Sequence, residues 1–352
     1  MNTGKIVDIN NLKSFCKNAL IKAGMSKKFA LITAEVLVET DTYGTHSHGT
    51  KNLYNYFKKM QAGGIDINAQ PRVLLDLPAI ALIDGQAAVG MVPSYLAMEM
   101  AIEKAKYAGI CYIAVKNSCH FGAAGYYANM AAKQNMIGLA MSNADPNMNV
   151  PGGKGYIIGN NPFAYAVPFE ERSIFLDIAM SSVAALKVIQ AEKDNKAIPD
   201  TWVADEDGIP TTDPGKFLDG GSLQPMSGHK GYGLALLVEM LTSIVSGGAI
   251  MDEVPSWWHK LADKNNASHA FIVIDPSKFM AQAIFGERVE YAANYLHNAP
   301  KAADKTRIYC PGEIEWEKAK NAEENGLLLP PDVVGQLELL AQETETAVPW
   351  MA

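Results

Sequence analysis

Cysteine is scarce: Cys16, Cys111, Cys119 and Cys310 are the only four in 352 residues. They lie too far apart for a disulfide framework or a CxxC zinc site, and they suit a reducing, cytoplasmic setting. Positive charge is in deficit, with 30 Lys+Arg against 38 Asp+Glu and a formal net charge of −8. No global basic field draws nucleic acid or an anionic membrane, so any anionic ligand must be held by local groups. The start, MNTGKIVDINNLKSF, lacks an apolar core behind a basic segment, and the greasiest stretch, Leu234 to Ile250, is interrupted by Glu239, Thr242 and Ser243. Neither secretion nor membrane spanning is expected. Internal repeats and low-complexity segments are missing. So are the familiar phosphate strings: no G-x-G-x-x-G follows a strand, and Gly85 and Gly90 have P-loop spacing but Met91-Val92 stand where Lys-Ser/Thr is required.

What is present is a large apolar fraction, 48%, in a chain long enough for two domains at about 150 residues each. Residues 8–24 set Leu12, Phe15, Cys16 and Leu20 on one helical face. Ser26 can cap a second helix carrying Phe29, Ile32, Val36 and Leu37. A third helix near Leu53–Met60 ends at Gly63-Gly64. From residue 79 apolar runs alternate with helical segments: 79–83, helix 93–107, 111–115, helix 123–134, 137–142, 163–167 and 173–179, then a helix from Gly231 to Ser246 and a strand at 270–275. This predicts an α/β region with a mixed or mostly parallel sheet over 71–285. The helical tail from 286 onward has no core of its own, so residues 1–70 and 286–352 are expected to form one helical domain from both chain ends.

Three histidines stand in compact polar and glycine settings: His46 and His48 in Thr45-His46-Ser47-His48-Gly49, and His120 in Asn117-Ser118-Cys119-His120-Phe121-Gly122. Histidine exchanges protons near neutrality, and His120 directly follows a strand, where active groups of open α/β sheets gather. A surface or capping histidine is the plain alternative; His229, His259, His269 and His297 read as structural. A metal site on His46, His48 and His120 lacks any required ligand spacing, and no metal is expected. The run Leu176-Asp177-Ile178-Ala179-Met180-Ser181-Ser182 has the form of a strand, an acid able to accept from ribose hydroxyls, and serine caps for a following helix. An ordinary strand-to-helix turn with a capping serine is the first reading of it from the sequence alone. Lys187 and Lys230 are candidate point charges for phosphate or carboxylate. The segment Gly152-Gly153 through Gly159-Asn160-Asn161-Pro162 either lets backbone approach a ligand or makes a tight hairpin.

Taken in order, the His-Ser-His-Gly string, Lys116 through Tyr127, Gly159-Asn160-Asn161-Pro162, Ile198-Pro199-Asp200-Thr201-Trp202 with Pro210-Thr211-Thr212-Asp213-Pro214, and Gly228-His229-Lys230-Gly231-Tyr232-Gly233 resemble the malate/L-lactate dehydrogenase family from about residue 8 to 326. That non-Rossmann family also includes ureidoglycolate dehydrogenase, L-sulfolactate dehydrogenase, diketogulonate reductase and cyclic-imine reductases. The resemblance implies a homodimer with a distinctive NAD(P)-binding α/β domain and a helical domain built from both termini. It implies hydride transfer between nicotinamide and a small 2-hydroxy/2-oxo acid, with no nucleic acid or membrane partner. By position it makes His120 the acid/base and His48 a substrate contact or proton-transfer group. Ser47 and Tyr56 fall at the substrate and nicotinamide end, and Asp145 and Pro146 beside the nicotinamide. Asp177, Ile178 and Ala179 match a dinucleotide-binding turn, Lys230 a cofactor lysine, and Gly312-Glu313 a cofactor-facing turn.

One position departs from the pattern Ser-His-Gly-x-x-Arg, whose arginine suits bidentate capture of a carboxylate. Here Asn52 occupies it, after Lys51. Lys51 as a point charge, or a differently recognised substrate, is then expected. Ureidoglycolate, cyclic-imine or diketogulonate chemistry within the family is the alternative activity. A metal-dependent lyase and a non-catalytic binding protein are the readings from other classes. No matched position offers an unambiguous acid or arginine for the ribose 2′ position, so NAD is expected with NADP compatible.

Overall fold

The computed structural model describes residues 4–350. The chain opens with β1 (Lys5–Val7), α1 (Ile9–Lys22), α2 (Lys27–Thr42) and α3 (Leu53–Gln61). Asp8 accepts from the Asn11 N–H and Ser26 from the Phe29 N–H, so both long helices start on a side-chain cap, Ser26 as expected. The stripe Leu12, Phe15, Cys16 and Leu20 is buried, as are Ile32, Val36 and Leu37.

Strands and helices then alternate: β2 (Arg72–Asp76), β3 (Ile80–Asp84), α4 (Met91–Ala108), β4 (Ile110–Ser118), α5 (Ala124–Ala132) and β5 (Ile137–Ser142). Next come β6 (Phe163–Phe169), β7 (Arg172–Ile178), α6 (Ala185–Lys193), and three short strands, β8 (Val203–Ala204), β9 (Pro210–Thr211) and β10 (Ser222–Leu223). The chain ends with α7 (His229–Glu239), β11 (Ala267–Ile274), α8 (Gln282–His297), α9 (Glu313–Asn325), β12 (Leu327–Leu329) and α10 (Pro331–Thr344). Strands β8 to β10 form a small sheet of their own, and the main sheet has seven strands in the order β2-β3-β4-β11-β5-β6-β7.

The main sheet is mixed, as expected, but its pairing is mostly antiparallel rather than mostly parallel. Only β3 and β4 pair in parallel, across the α4 crossover. β4 and β5 point the same way, but β11, arriving from far along the chain, lies antiparallel between them. β6 and β7 form a hairpin around Glu170-Glu171. The carboxyl ends of β3, β4, β5 and β7 therefore share one edge of the sheet.

The sheet separates two apolar clusters. Side chains alternate along a strand: Ala140 and Phe271 join the cluster containing α1, α2, α4 and α5, whereas their neighbours Met141 and Ala270 join a second cluster with Met180, Val188, Val203 and Val238. The first cluster also takes in Val333, Val334, Leu337 and Leu340 of α10, and β12 pairs antiparallel with β1. Pro331 opens α10 at its first turn, where a missing N–H costs nothing. The tail thus packs on the N-terminal helices from α9 onward. Helix α8 departs from that expectation: it lies against β6 rather than on the N-terminal helices, with only Ala293 buried and Tyr291 and Tyr295 73% and 69% exposed. No helix among the described residues is long and apolar enough to cross a membrane.

Candidate active site

His120 sits two residues beyond β4, on the edge shared by four strand ends. Its loop packs tightly on the start of α4. A Cβ on Gly90 would fall 2.0 Å from the Cys119 carbonyl oxygen, which explains the glycine better than a phosphate loop does. The Tyr56 hydroxyl of α3 lies on His120 Nδ1 in a short hydrogen bond, and the Gly122 N–H approaches the same nitrogen at 3.4 Å, leaving Nε2 for a substrate. Trp257 stacks flat on the imidazole, with centroids 4.1 Å apart and planes 12° apart, and His48 stacks from another side at 5.6 Å. Burial, then the neighbouring His48 and His269, hold the His120 pKa well below its ordinary value. Burial lowers His48 as well and keeps the Tyr56 phenol neutral by raising its pKa. At pH 7 the pair is neutral and poised to accept a proton.

The turn carrying His48 hangs on a buried acid. Asp41, fully buried in α2, accepts from His46 Nδ1 at 2.8 Å, from the Thr50 N–H at 3.0 Å and from the Thr50 hydroxyl at 2.5 Å. A Cβ on Gly49 would lie 2.0 Å from that carboxylate. His46 is thereby turned onto Asp41 rather than grouped with His48 and His120. Ser47 Oγ bonds His48 Nδ1 at 2.9 Å.

Asn52 and Lys51 are engaged elsewhere. Asn52, 3% exposed, donates to the Ser47 carbonyl at 2.8 Å and so braces the turn from within. Lys51 donates to Asp332 of α10 at 2.6 Å. Lys59, fully buried, spends its ammonium on the carbonyls of Lys260, Leu261 and Asp263. None of the three presents an uncommitted cation, and Lys59 instead clamps the loop that carries Trp257.

The segments expected to hold a dinucleotide converge at the end of β7. The Phe175 N–H donates to Pro311 O at 3.1 Å, and Gly312, at φ +90°, lies so close that a Cβ would meet the Phe175 ring at 2.5 Å. Beyond Ile178 and Ala179, the Met226 N–H donates to Met180 O at 2.8 Å, bringing up the start of α7 with Lys230 exposed on its first turn. Gly228 caps that helix with no side chain. A lysine, an open helix start and close-packed glycine backbone fit an anionic dinucleotide. Asp177 turns toward the start of α5, accepting from the Gly125 N–H at 2.7 Å, and burial raises its carboxyl to about 6. Ser181 and Ser182 do not cap a helix: their hydroxyls donate to the Val183 and Pro225 carbonyls, and α6 begins at Ala185 without a side-chain cap. Glu313 accepts from the Cys310 N–H at 2.9 Å and pairs with His297 at 2.8 Å and Arg307 at 3.4 Å.

Asp145 and Pro146 follow β5. Ser256, next to Trp257, hydrogen-bonds the Asp145 carboxyl, which burial raises. Two residues that sequence reasoning passed over organise the site: Trp257 and Asp41. The aromatic pair Trp257-Trp258 and an acid on an otherwise apolar helical face were the only local signals.

A half-buried histidine pair at the carboxyl edge of a mixed non-Rossmann sheet, with a dinucleotide-compatible edge beside it, defines a class of α/β oxidoreductase. The chain belongs to the malate/L-lactate dehydrogenase family, whose model matches residues 7–338. It is 36% identical over 338 residues to the L-sulfolactate dehydrogenase of Methanocaldococcus jannaschii, covering 96% of this chain and 97% of that protein. It is 31% identical over 323 residues to the NAD(+) ureidoglycolate dehydrogenase of Escherichia coli, covering 92% of each. The solved malate dehydrogenase of Pyrococcus horikoshii superposes with a TM-score of 0.90 at 33% identity, covering 98% of this chain and 97% of that one. The protein is therefore an enzyme, a nicotinamide-dependent dehydrogenase of hydroxy acids.

Proposed function

We propose that the chain interconverts a small 2-hydroxy acid and its 2-oxo acid with NAD as cofactor, His120 serving as the acid/base. The observation that carries this assignment is the constellation on His120: Tyr56 on Nδ1, Trp257 over its face and His48 beside it. Nicotinamide supplies the hydride chemistry when bound. Lys230, the turn at Asp177, Ile178 and Ala179, and Gly312-Glu313 would hold the dinucleotide, with Asp145 and Pro146 at its nicotinamide end.

In oxidation, neutral His120 takes the hydroxyl proton on Nε2, while the Tyr56 hydroxyl on Nδ1 holds the ring in orientation. In reduction the same nitrogen returns the proton. His48, oriented by Ser47, directs the substrate oxygen. Trp257 covers the imidazole face and excludes water from it. Asn52 braces the Ser47–His48 turn, so it acts on the substrate through that turn. Lys51, tied to Asp332, offers the substrate carboxylate no uncommitted charge, which favours a substrate held differently from one gripped by an arginine.

We further propose a homodimer in a reducing, cytoplasmic compartment. All four cysteines are unpaired and buried. An outward stripe on α7 and the turn after it, Leu234, Leu237, Met240 and Ile244, is 44–52% exposed, as suits a face covered by a second copy.

The test is NADH and NADPH oxidation over pyruvate, oxaloacetate, 2-oxoglutarate, diketogulonate, oxalurate and cyclic imino acids, followed by His120→Ala on the best substrate. Turnover should fall about 10²- to 10⁴-fold with NADH binding kept. Wild-type turnover in the variant removes His120 from the mechanism. Nucleotide binding without turnover of any of these substrates supports the binding-protein reading instead.

A further inference from the structure

Helix α7 ends in a carboxylate with no exposure to solvent. Glu239 is fully buried at the junction with a π-turn, Met240–Ile244, a local widening that recurs at functional sites. Its Oε2 accepts from Asn161 Nδ2 at 2.8 Å. Its Oε1 accepts from Asn143 Nδ2 at 3.3 Å, from the Ser243 hydroxyl at 3.1 Å and from the Met251 N–H at 3.0 Å. Every partner is a donor, so the site demands two acceptor oxygens and fills the capacity of an ionised carboxylate.

The partners lead to the active site along two routes. Asn161, whose Nδ2 is held by Glu239, uses its Oδ1 to accept from the Ala144 N–H at 3.0 Å. Asn143 Oδ1 accepts from the Ser268 N–H at 2.8 Å. Together they fix the residues immediately before Asp145 and Pro146. The second route starts at Met251, first residue of the short turn Met251–Glu253, and leads along the chain to Ser256, which bonds Asp145, and to Trp257, which covers His120. One carboxylate ties down both segments that flank the acid/base histidine.

We infer that Glu239 is a positioning residue for hydride transfer: it touches neither substrate nor cofactor and sets the placement of the 143–146 segment and of the Trp257 loop. The inference rests on the proposed role of His120 and of Asp145-Pro146. Glu239→Gln keeps shape and size but turns an amide NH₂ toward Asn161 or toward the three donors on Oε1, whichever way it is placed. A misplacement on the order of 1 Å at a reacting centre costs up to about 10²-fold.

The experiment compares wild type and E239Q by amide hydrogen exchange and by steady-state kinetics on the best substrate. Exchange should accelerate at Ala144 and Met251 while the β4 and β11 amides stay protected. kcat should fall about tenfold or more, with the pH midpoint of the profile unchanged because His120 is untouched. Unchanged local exchange overturns the inference, and so does faster exchange with kcat within twofold of wild type. If E239Q does not fold, Asn161→Gly takes its place: glycine accepts the φ of +28° there, and the link to Ala144 is cut. It should give the same pair of effects, and wild-type behaviour in it overturns the inference equally. Absence of turnover in the wild type itself counts against the dehydrogenase substrate assignment, and the exchange arm is still read on its own.

Discussion

His269 offers a quantitative handle on the ground beneath the site. It lies in the central strand β11, fully buried, stacked on Phe121 with centroids 4.5 Å apart and planes 6° apart. Nδ1 is 2.8 Å from Ser142 Oγ and Nε2 is 2.8 Å from Ser118 Oγ. The Ser142 hydroxyl donates to Asn143 O at 2.7 Å, so it accepts from Nδ1–H, and Nε2 is the acceptor that protonation would spoil. Burial pushes the pKa from 6.5 down to about 3. Between those values the unfolded chain binds a proton that the folded chain refuses, so stability rises with pH there and is lost as pH falls. The gap, at about 1.4 kcal/mol per pH unit, amounts to about 5 kcal/mol in full, of which roughly half should be lost between pH 7.5 and 4.5. The perturbation is His269→Gln, which keeps a donor and an acceptor but does not titrate. Urea unfolding of both proteins at equal concentration from pH 7.5 to 4.5 is the assay. The variant starts less stable, and its deficit should shrink by about 3 kcal/mol over that range. Parallel stability curves would refute the reasoning, because the neutral ring would then owe nothing to its burial.

Two further outcomes concern the enzyme in action. Because burial and the adjoining histidines lower the His120 pKa, kcat/KM for oxidation should rise with pH through a midpoint below 6.5 and then level off, whereas kcat/KM for reduction should fall through the same midpoint; an oxidation midpoint above 6.5 contradicts the site's electrostatics. Sedimentation should return twice the 38.0 kDa chain mass, and Leu234→Glu with Leu237→Glu on the exposed α7 stripe should yield monomers; a monomeric wild type removes the proposed interface.

Much of this was legible from local pattern. The cap at Ser26, the helical stripe of α1 and the strand β5 at 137–142 follow from spacing alone, since each is decided within one turn or one strand. The sheet's pairing was not legible in the same way. Alternating strands and helices correctly implied that β4 and β5 run together, but nothing local in Ala267–Ile274 says that this strand inserts between them. The same limit explains Ser181 and Ser182: beside a strand end they read as caps, and the contact that claims Ser182, with Pro225, lies more than forty residues away.

The acids carry the deeper lesson about a chain of net charge −8. Asp41, Asp177 and Glu239 add to the negative total, yet each is an acceptor for N–H or O–H donors, largely from segments remote in sequence. A buried carboxylate costs several kcal/mol in desolvation unless donors surround it, so its presence at these points reports converging backbone rather than a repelled anion. The cations follow the converse rule. Lys51 looks available to a carboxylate substrate from the sequence, but an ion pair consumes it, and three carbonyls consume Lys59. Local charge near the histidines therefore cannot be read by counting lysines. Asn52 marks the point: no arginine stands there and Lys51 beside it is paired with Asp332, so under the proposed assignment discrimination among substrates falls to the shape and hydrogen bonds around His48, His120 and Trp257.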